Sequence, residues 1–144
     1  HMSFSQKSQR YVKEKGQFDY IIPPTIEKNT ELKDKYIQFM EKVSEQYQEF
    51  VEAGIPAEDA RFVLPNAAAS SLVASLNLRE MIHLANLRLC TRAQYEIRTM
   101  VKMMCDELVK VEPWLKPYLV PKCERLGFCD EAKGCGRKPK MEGM

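Results

Sequence analysis

The sequence predicts an α+β protein that is mainly α-helical, with long amphipathic helices and one or two short strands. Apolar residues recur every three or four positions over Leu32–Val51 and again over Thr91–Val111, which is the spacing of one helix face. Between residues 18 and 22, aromatic and β-branched residues precede two prolines, which is typical of a short strand. Both helices have polar residues between their apolar positions, so each is expected to bury one face only.

The first half of the chain contains this strand and the longer helix. The helix over Leu32–Val51 is expected to end at Gly54, because glycine readily takes the left-handed conformation that caps a helix. Pro56 fits the first turn of a short helix that carries Arg61. The Leu-Pro pair at residues 64–65 closes that short helix.

The second half of the chain is predicted to contain a strand and two helices. The small, weakly apolar residues 67–76 are interpreted as the strand. Asn77 and Glu80 have the spacing of a capping pair, which begins a helix that ends near Leu89. The second helix covers Thr91–Val111, and the proline that soon follows stops it.

The composition is that of a soluble chain that can build a hydrophobic core. Of its 144 residues, 44% are apolar and 29% are charged. No apolar run approaches membrane-spanning length and no secretory signal is apparent, so a cytoplasmic location without a membrane partner is the default expectation. The net charge of +2 argues against a general nucleic-acid binder. Basic residues are in excess only after residue 116, where a solvated basic tail is the favoured interpretation.

Residues 77–98 are the most informative part of the chain. Arginine, asparagine, glutamine and histidine side chains are interspersed through an apolar helical pattern. Guanidinium groups bind phosphate with two parallel hydrogen bonds, so this set suits an anionic, heteroaromatic ligand such as a nucleotide or a flavin. On a helix Arg79, His83 and Asn86 share one face, for which a solvated polar surface is the alternative interpretation.

Three segments of the chain resemble the flavin-dependent thymidylate synthases. Residues 77–98 match that family's Asn-x-Arg element, its Leu-Arg pair and its Ala-Gln-x-Glu-Ile sequence. Residues 60–65 look like its Ala-Arg-x-x-Leu-Pro element. Residues 3–10 look like the second half of its signature, Arg-His-Arg-x-x-Ser-x-Asn-x-x-Ser-x-Arg. The resemblance covers about residues 3–112 and extends more loosely into the tail.

The resemblance implies an activity, its cofactors and an assembly. The implied reaction is the methylation of dUMP to dTMP with methylene-tetrahydrofolate, FAD and NADPH. Family members form homotetramers whose active sites take residues from several subunits. The helix over Leu32–Val51 carries more aromatic side chains than a small core needs, so part of it, or of the helix that follows Arg92, is expected to lie between subunits.

The resemblance also assigns ligand roles to individual residues. Arg88, in the Leu-Arg pair, is the implied catalytic residue and contacts dUMP. The other implied dUMP-binding residues are Gln6, Lys7, Ser8, Gln9, Arg10 and Arg61. The implied FAD-binding residues are Asn77, Arg79, His83 and Arg92.

Some of these assignments are qualified by the residues themselves. Ser8 is expected to position the pyrimidine and not to attack it, because a serine nucleophile needs a neighbouring base. Ser5 stands where the family signature usually has asparagine, and Arg92 stands where many members have histidine. An ion pair between Arg61 and Glu58 is the alternative to a ligand role for that arginine.

Three regions are expected along the chain. Residues 1–2 resemble a cloning remnant and are excluded from fold reasoning. Residues 3–120 form the synthase-like domain, which is expected to lack its N-terminal part because the signature's Arg-His-Arg would stand upstream of Ser3. Residues 121–144 form a basic, irregular, cysteine-containing tail. Whether this chain retains flavin or activity by itself is left open.

The tail cysteines are evenly spaced. Cys123, Cys129 and Cys135 are separated by five residues each, whereas close Cys-x-x-Cys pairs are typical of zinc sites. No metal is therefore predicted, and free thiols are favoured in a reducing compartment. A metal site completed by Cys90 or Cys105, or a disulfide, is the alternative.

Two other classes of function remain open. One is a non-catalytic nucleotide- or flavin-binding fragment. The other is an interaction module in which residues 79–98 bind an acidic partner or RNA. Binding by such a module would fall steeply with salt and would not depend on dUMP.

Overall fold

The computed structural model describes residues 2–141. It is mainly helical with a small antiparallel sheet, which confirms the predicted α+β class. In chain order the elements are β1 (Met2–Gln6), α1 (Pro24–Glu27), α2 (Thr30–Glu52), α3 (Ala57–Ala60), a 3-10 turn (Arg61–Val63), β2 (Leu72–Leu76), α4 (Leu78–Arg88), α5 (Tyr95–Val111), a second 3-10 turn (Pro113–Leu115) and α6 (Lys122–Leu126). Residues 4–74 form one compact unit, and the remaining described residues form a second.

The long helix α2 organises the first unit. It begins after Asn29, whose side-chain oxygen accepts a hydrogen bond from the Leu32 N–H at 3.1 Å. It ends just before Gly54, which takes a φ of +84° that side chains with a Cβ rarely adopt. The helix predicted over Leu32–Val51 and its glycine cap are therefore confirmed.

One face of α2 holds the loop that precedes α1. Met40, Ser44 and Tyr47 are the buried residues of the helix, at the spacing of one helix face. The Ser44 hydroxyl accepts from the Phe18 N–H and donates to the Gly16 carbonyl, both at 3.3 Å. Phe18 is itself buried, so apolar contact and backbone hydrogen bonds together fix this loop on α2.

The strand predicted at residues 18–22 is wrong. Tyr20 forms only an isolated antiparallel bridge with Ala68. The aromatic residues pack with each other instead, since Tyr20 meets Phe18 and Tyr36 edge to face at centroid distances of 6.0 and 6.1 Å. The prolines that follow lack an N–H for a longer ladder and begin α1, so the pairing stops after the bridge.

The sheet differs from the prediction in both of its strands. Residues 67–76 are strand only over Leu72–Leu76, where β2 pairs with β1. Strand β1 is not predicted from the sequence, because the serines and the glutamine of this strand interrupt any apolar run. The residues of β1 are mostly exposed. The pairing continues beyond β1, where the Lys7 N–H donates to the Ser71 carbonyl at 2.8 Å.

Helices α4 and α5 build the core of the second unit. The Asn77 side-chain oxygen accepts from the Glu80 N–H at 2.9 Å, which confirms the predicted start of α4. The buried face of α4 packs against α5 and against the turn that follows α5. The buried residues of this core are Met81, Ala85, Val101, Cys105, Leu115 and Leu119.

Helix α5 begins at Tyr95 and not at Thr91 as predicted. The side-chain oxygen of Gln94 accepts from the N–H groups of Glu96 and Ile97 at 2.9 and 3.2 Å. These donors have no partner within a helix, so a side chain that satisfies them sets the helix start. Residues 91–93 form a turn before it.

The tail is partly helical, contrary to the prediction of an irregular segment. The short helix α6 follows Pro121 and ends at Gly127, which has a φ of +81°. Beyond it the chain is irregular apart from an isolated parallel bridge between Cys129 and Lys140. Within residues 2–141, no helix has both the length and the apolar character needed to cross a membrane.

The core of the second unit gives a stability prediction. Leu115 is 2% exposed, so Leu115→Ala should lower the free energy of unfolding by about 2–5 kcal/mol through lost apolar burial and the cavity left behind. Val111→Ala is the matched control, because Val111 is 76% exposed and its truncation should change stability by less than about 0.5 kcal/mol. Urea denaturation measures both. Equal effects would contradict the assigned core.

Candidate functional site

Five of the seven residues assigned to the nucleotide line a cavity in the first unit, and Arg10 and Arg88 do not. The cavity encloses about 400 Å³. Its lining residues are Gln6, Lys7, Ser8, Gln9 and Arg61. Two segments that are far apart in the sequence, the end of β1 and the turn after α3, thus present polar side chains to the same space.

A turn after β1 presents its part of this cavity. The Ser8 hydroxyl accepts from the Arg10 N–H at 3.3 Å, and the Ser8 carbonyl accepts from the Val12 N–H at 2.9 Å. Lys7 forms an ion pair with Glu14 at 2.6 Å, with both side chains partly buried. The serine hydroxyl thus shapes the turn.

Glu58 joins the two arginines that the resemblance assigns to the nucleotide. Arg10 Nε donates to a carboxylate oxygen of Glu58 at 2.7 Å, and Arg61 Nε donates to the Glu58 carbonyl at 3.1 Å. The ion pair suggested for Arg61 is therefore formed by Arg10 instead. The Arg10 and Glu58 side chains are 55% and 47% exposed, so the pair contributes at most about 1 kcal/mol. A more strongly charged anion can therefore displace Glu58 from Arg10.

Each of these arginines also lies against the aromatic ring of the next residue. The Arg10 guanidinium lies 5.1 Å from the centre of the Tyr11 ring, and the Arg61 guanidinium lies 5.8 Å from that of Phe62. A cation over an aromatic face is attracted to the negative charge of that face. These contacts restrict the directions in which the guanidinium groups point.

A groove along α4 contains two of the residues assigned to the flavin. Arg79, His83 and Asn86 all line it, so the predicted common face exists. The groove encloses about 730 Å³ and is also lined by Lys122 and Arg125. The second unit therefore has a cationic groove with an imidazole and an amide in its wall.

The contribution of α6 to this groove is missed by sequence reasoning. Lys122 and Arg125 belong to α6, and Tyr118 lies just before it. Their only signal in the sequence is the excess of basic residues after residue 116, for which a solvated tail is the favoured interpretation. The short helix brings part of that basic segment beside α4.

Asn86 has a buried acceptor without a donor. The residue is 5% exposed, and its side-chain nitrogen donates to the Ile82 carbonyl. Its side-chain oxygen has no hydrogen-bond partner among the described residues. A desolvated acceptor left unpaired costs about 1–3 kcal/mol, so such groups in native proteins usually have a partner.

The other residues assigned to ligands lie outside the groove lining. Asn77 uses its side-chain oxygen to cap α4, and Arg88 is exposed at the last position of the same helix. Arg92 donates to the Glu131 carboxylate at 2.8 Å and lines a neighbouring cavity, which shares Asn86, Leu87 and Lys122 with the groove. The structure therefore does not bring Arg92 together with Arg79 and His83, because residues 91–93 turn away between the two helices.

The cysteines are free thiols. Within residues 2–141, no group of three or more histidine, cysteine, aspartate or glutamate side chains is arranged to hold a metal ion. Cys105 is buried in the core, and this burial raises the pKa of its thiol to about 11. It is therefore a structural residue of the core.

Comparison with known proteins identifies relatives across almost the whole chain. The family model described as "Thymidylate synthase complementing protein" matches residues 1–114. The chain is 43% identical over 152 residues to a flavin-dependent thymidylate synthase of Nitratidesulfovibrio vulgaris, a match that covers 99% of this chain and 62% of that protein. It is 39% identical over 155 residues to one of Pyrococcus abyssi, covering 99% of this chain and 63% of that protein. The chain thus spans less than two thirds of the length of these relatives.

A solved structure has a similar fold. It is a UMP/dUMP methylase, PolB, from Streptomyces cacaoi bound with 5-Br dUMP, and it matches with a TM-score of 0.65 at 25% sequence identity. The match covers 76% of this chain and 58% of that one.

Proposed function

Because the chain belongs to the flavin-dependent thymidylate synthase family, we propose that it carries nucleotide- and flavin-binding parts of an enzyme that methylates dUMP to dTMP. The observation that carries the proposal is that residues 6–9 and Arg61, which come from the two segments that resemble the family's signature and its Ala-Arg-x-x-Leu-Pro element, line one cavity. The other reactants proposed are methylene-tetrahydrofolate and NADPH, with FAD as the cofactor.

The cavity of the first unit has the chemistry of a nucleotide site. Arg61 and Lys7 supply positive charge for the phosphate, and glutamine side chains supply donors and acceptors for the pyrimidine edge. Arg10 is held beside the cavity by a weak, exposed pair with Glu58 and is released when the phosphate binds. The nucleotide thus replaces an internal carboxylate with a phosphate.

The groove of the second unit fits a flavin dinucleotide. The guanidinium groups of Arg79 and Arg125 suit the diphosphate, whereas Lys122 is paired with Asp130. Arg79 and His83 would hold this cofactor, and Asn77 would support them by capping α4. A flavin held there and reduced would supply the hydride of the reaction.

The protein's own residues act in this proposal by binding and positioning. Ser8 orders the turn that carries Lys7 and Arg10, and so sets the direction of the pyrimidine. Arg88 is assigned to the substrate on the family motif, and α4 presents it exposed at its last position. Reactions that depend on positioning are sensitive to displacements of about 1 Å, which can cost on the order of a hundredfold in rate.

The nucleotide assignment predicts that dUMP affinity depends on arginine side chains. Arg61→Ala and Arg88→Ala should each weaken binding by about ten- to a hundredfold, because a charge-assisted hydrogen bond contributes roughly 1.5–3 kcal/mol. Isothermal titration calorimetry with dUMP measures the change. Arg98→Ala is the control, since Arg98 donates to the Thr91 carbonyl and has no assigned ligand role. Unchanged affinity in both site variants would refute the assignment.

Glu58 supplies a variant with the opposite expected sign. Glu58→Gln removes the carboxylate that competes with phosphate for Arg10, so dUMP should bind up to about fivefold more tightly. Glu45→Gln removes one charge from an exposed position of α2 and controls for net charge. Weaker binding by Glu58→Gln alone would show that Glu58 positions Arg10 and does not compete for it.

The flavin assignment predicts a difference between two arginines. Arg79→Ala should weaken FAD binding about tenfold, because it removes a cation that lines the groove. Arg92→Ala should change it less than about twofold, because Arg92 pairs with Glu131 away from the groove. Quenching of flavin fluorescence on titration measures both affinities. A larger effect of Arg92→Ala would restore its place among the flavin residues.

We further propose that the chain assembles with copies of itself, as a tetramer. Phe39 on α2 is 58% exposed and Met103 on α5 is 63% exposed, and both helices carry other exposed apolar residues. Such surfaces are typical of contacts between subunits. Light scattering at high micromolar concentration should give a multiple of 16.7 kDa. Phe39→Asp should lower that mass while Gln38→Asp should not, and a monomeric parent protein would contradict the proposal.

A further inference from the structure

Four of the five cysteines line one cavity beside α6. The cavity encloses about 280 Å³, and the four residues are Cys90, Cys123, Cys129 and Cys135. They come from the end of α4, from α6 and from the loop that follows α6. All four are free thiols. Within residues 2–141 they are not part of an arrangement that could hold a metal ion.

Cys135 is the most accessible of these thiols. It is exposed and stands between Gly134 and Gly136, so no neighbouring side chain in the sequence crowds its sulfur. Hydrogen bonds from the Thr91 side chain and from the Arg137 backbone hold the pKa of the Cys135 thiol below its ordinary value. The thiolate is the nucleophilic form of cysteine, so both access and ionisation favour reaction at this residue.

Cys123 is a thiol of α6 that lines the same cavity as Cys135. It is half-buried in α6, and burial raises the pKa of its thiol. The charges of Cys129 and Cys135 also raise that pKa. Cys123 is thus less accessible to solvent reagents than Cys135, and the two residues line the same cavity.

We propose that Cys135 is a thiol modification site that reacts with a low-molecular-weight disulfide and passes the oxidation to Cys123 as an intrachain disulfide. In the first step the Cys135 thiolate attacks the disulfide RSSR, forming Cys135–S–SR and releasing RS⁻. In the second step the Cys123 thiolate attacks the Cys135 sulfur and releases the second RS⁻. Two protein thiols are oxidised and one RSSR is reduced to two RSH, with the two protons of the protein thiols taken up by the released thiolates.

The local structure gives this disulfide a structural consequence. The segment after α6 contains few buried side chains and is held by the exposed Arg92–Glu131 pair, the partly exposed Lys138–Glu124 pair and two backbone hydrogen bonds of Cys129 with residues 139 and 141. Exposed pairs of this kind contribute little to stability. A covalent bond across residues 123–135 would close a short loop and restrict this segment.

The sequence makes the thiols separable by trypsin. Lysine or arginine residues separate these cysteines along the sequence. Cleavage by trypsin therefore leaves Cys90, Cys123, Cys129 and Cys135 on four different peptides. Limiting iodoacetamide should label Cys135 at least about tenfold faster than the buried Cys105, which is an internal control in the same chain. Mass spectrometry of the digest measures both rates.

Oxidised glutathione then tests the second step. The whole protein should lose two thiols per chain, and a non-reduced digest should contain the Cys123 peptide joined to the Cys135 peptide. Cys123→Ser should stop the reaction at a glutathione adduct on Cys135, and Cys135→Ser should abolish both adduct and link. Cys90→Ser is the matched control, which should still form the link.

Three outcomes would overturn the inference. The first is labelling of Cys135 no faster than Cys105, and the second is a disulfide that persists in Cys135→Ser or joins other cysteines. The third is a purified protein that carries close to one zinc ion per chain and whose thiols react only after chelation, which would make the cluster a metal site.

Discussion

The packing of α4 on α5 is the constraint on which the cationic groove along α4 depends. Met81 and Ala85 are buried in the core, so the rotation of α4 about its axis is set by apolar contact. Arg79 and His83 stand on another face of the same helix, and their direction follows from that rotation. Burial of one face of the helix therefore directs the polar side chains of the opposite face into the groove, even where these side chains make no other interaction.

The cationic side chains of the two units are stabilised in different ways. Arg10 has a carboxylate partner in Glu58, but both groups are half-exposed and their attraction is screened by water. Arg79 and Arg125 line an open groove, where exposure to water avoids the cost of burying an unpaired charge. In both cases the guanidinium groups are held weakly enough to give up their carboxylate or water contacts when an anionic ligand binds. Asn86 differs, because its burial makes the unpaired acceptor costly.

Local sequence patterns were sufficient to predict helix ends where the capping residue stands next to the helix in the sequence. Asn29 and Asn77 cap α2 and α4 with their side chains, and Gly54 takes the left-handed conformation after α2. These are interactions between residues a few positions apart, so they are readable from the sequence. The start of α5 was misplaced because Gln94, whose side chain caps it, belongs to a motif that resembles helix interior.

The sequence by itself determined the fold class, the main helices and the family, because periodicity, caps and motifs are local properties of the chain. Only the tertiary structure decided which residues share a cavity. Residues 6–9 and Arg61 line one cavity, and Arg92 pairs with Glu131. The basic residues of α6 line the groove along α4, and four cysteines line another cavity. These relations depend on packing between segments far apart in sequence, where a turn of a few residues redirects a side chain from one cavity to another.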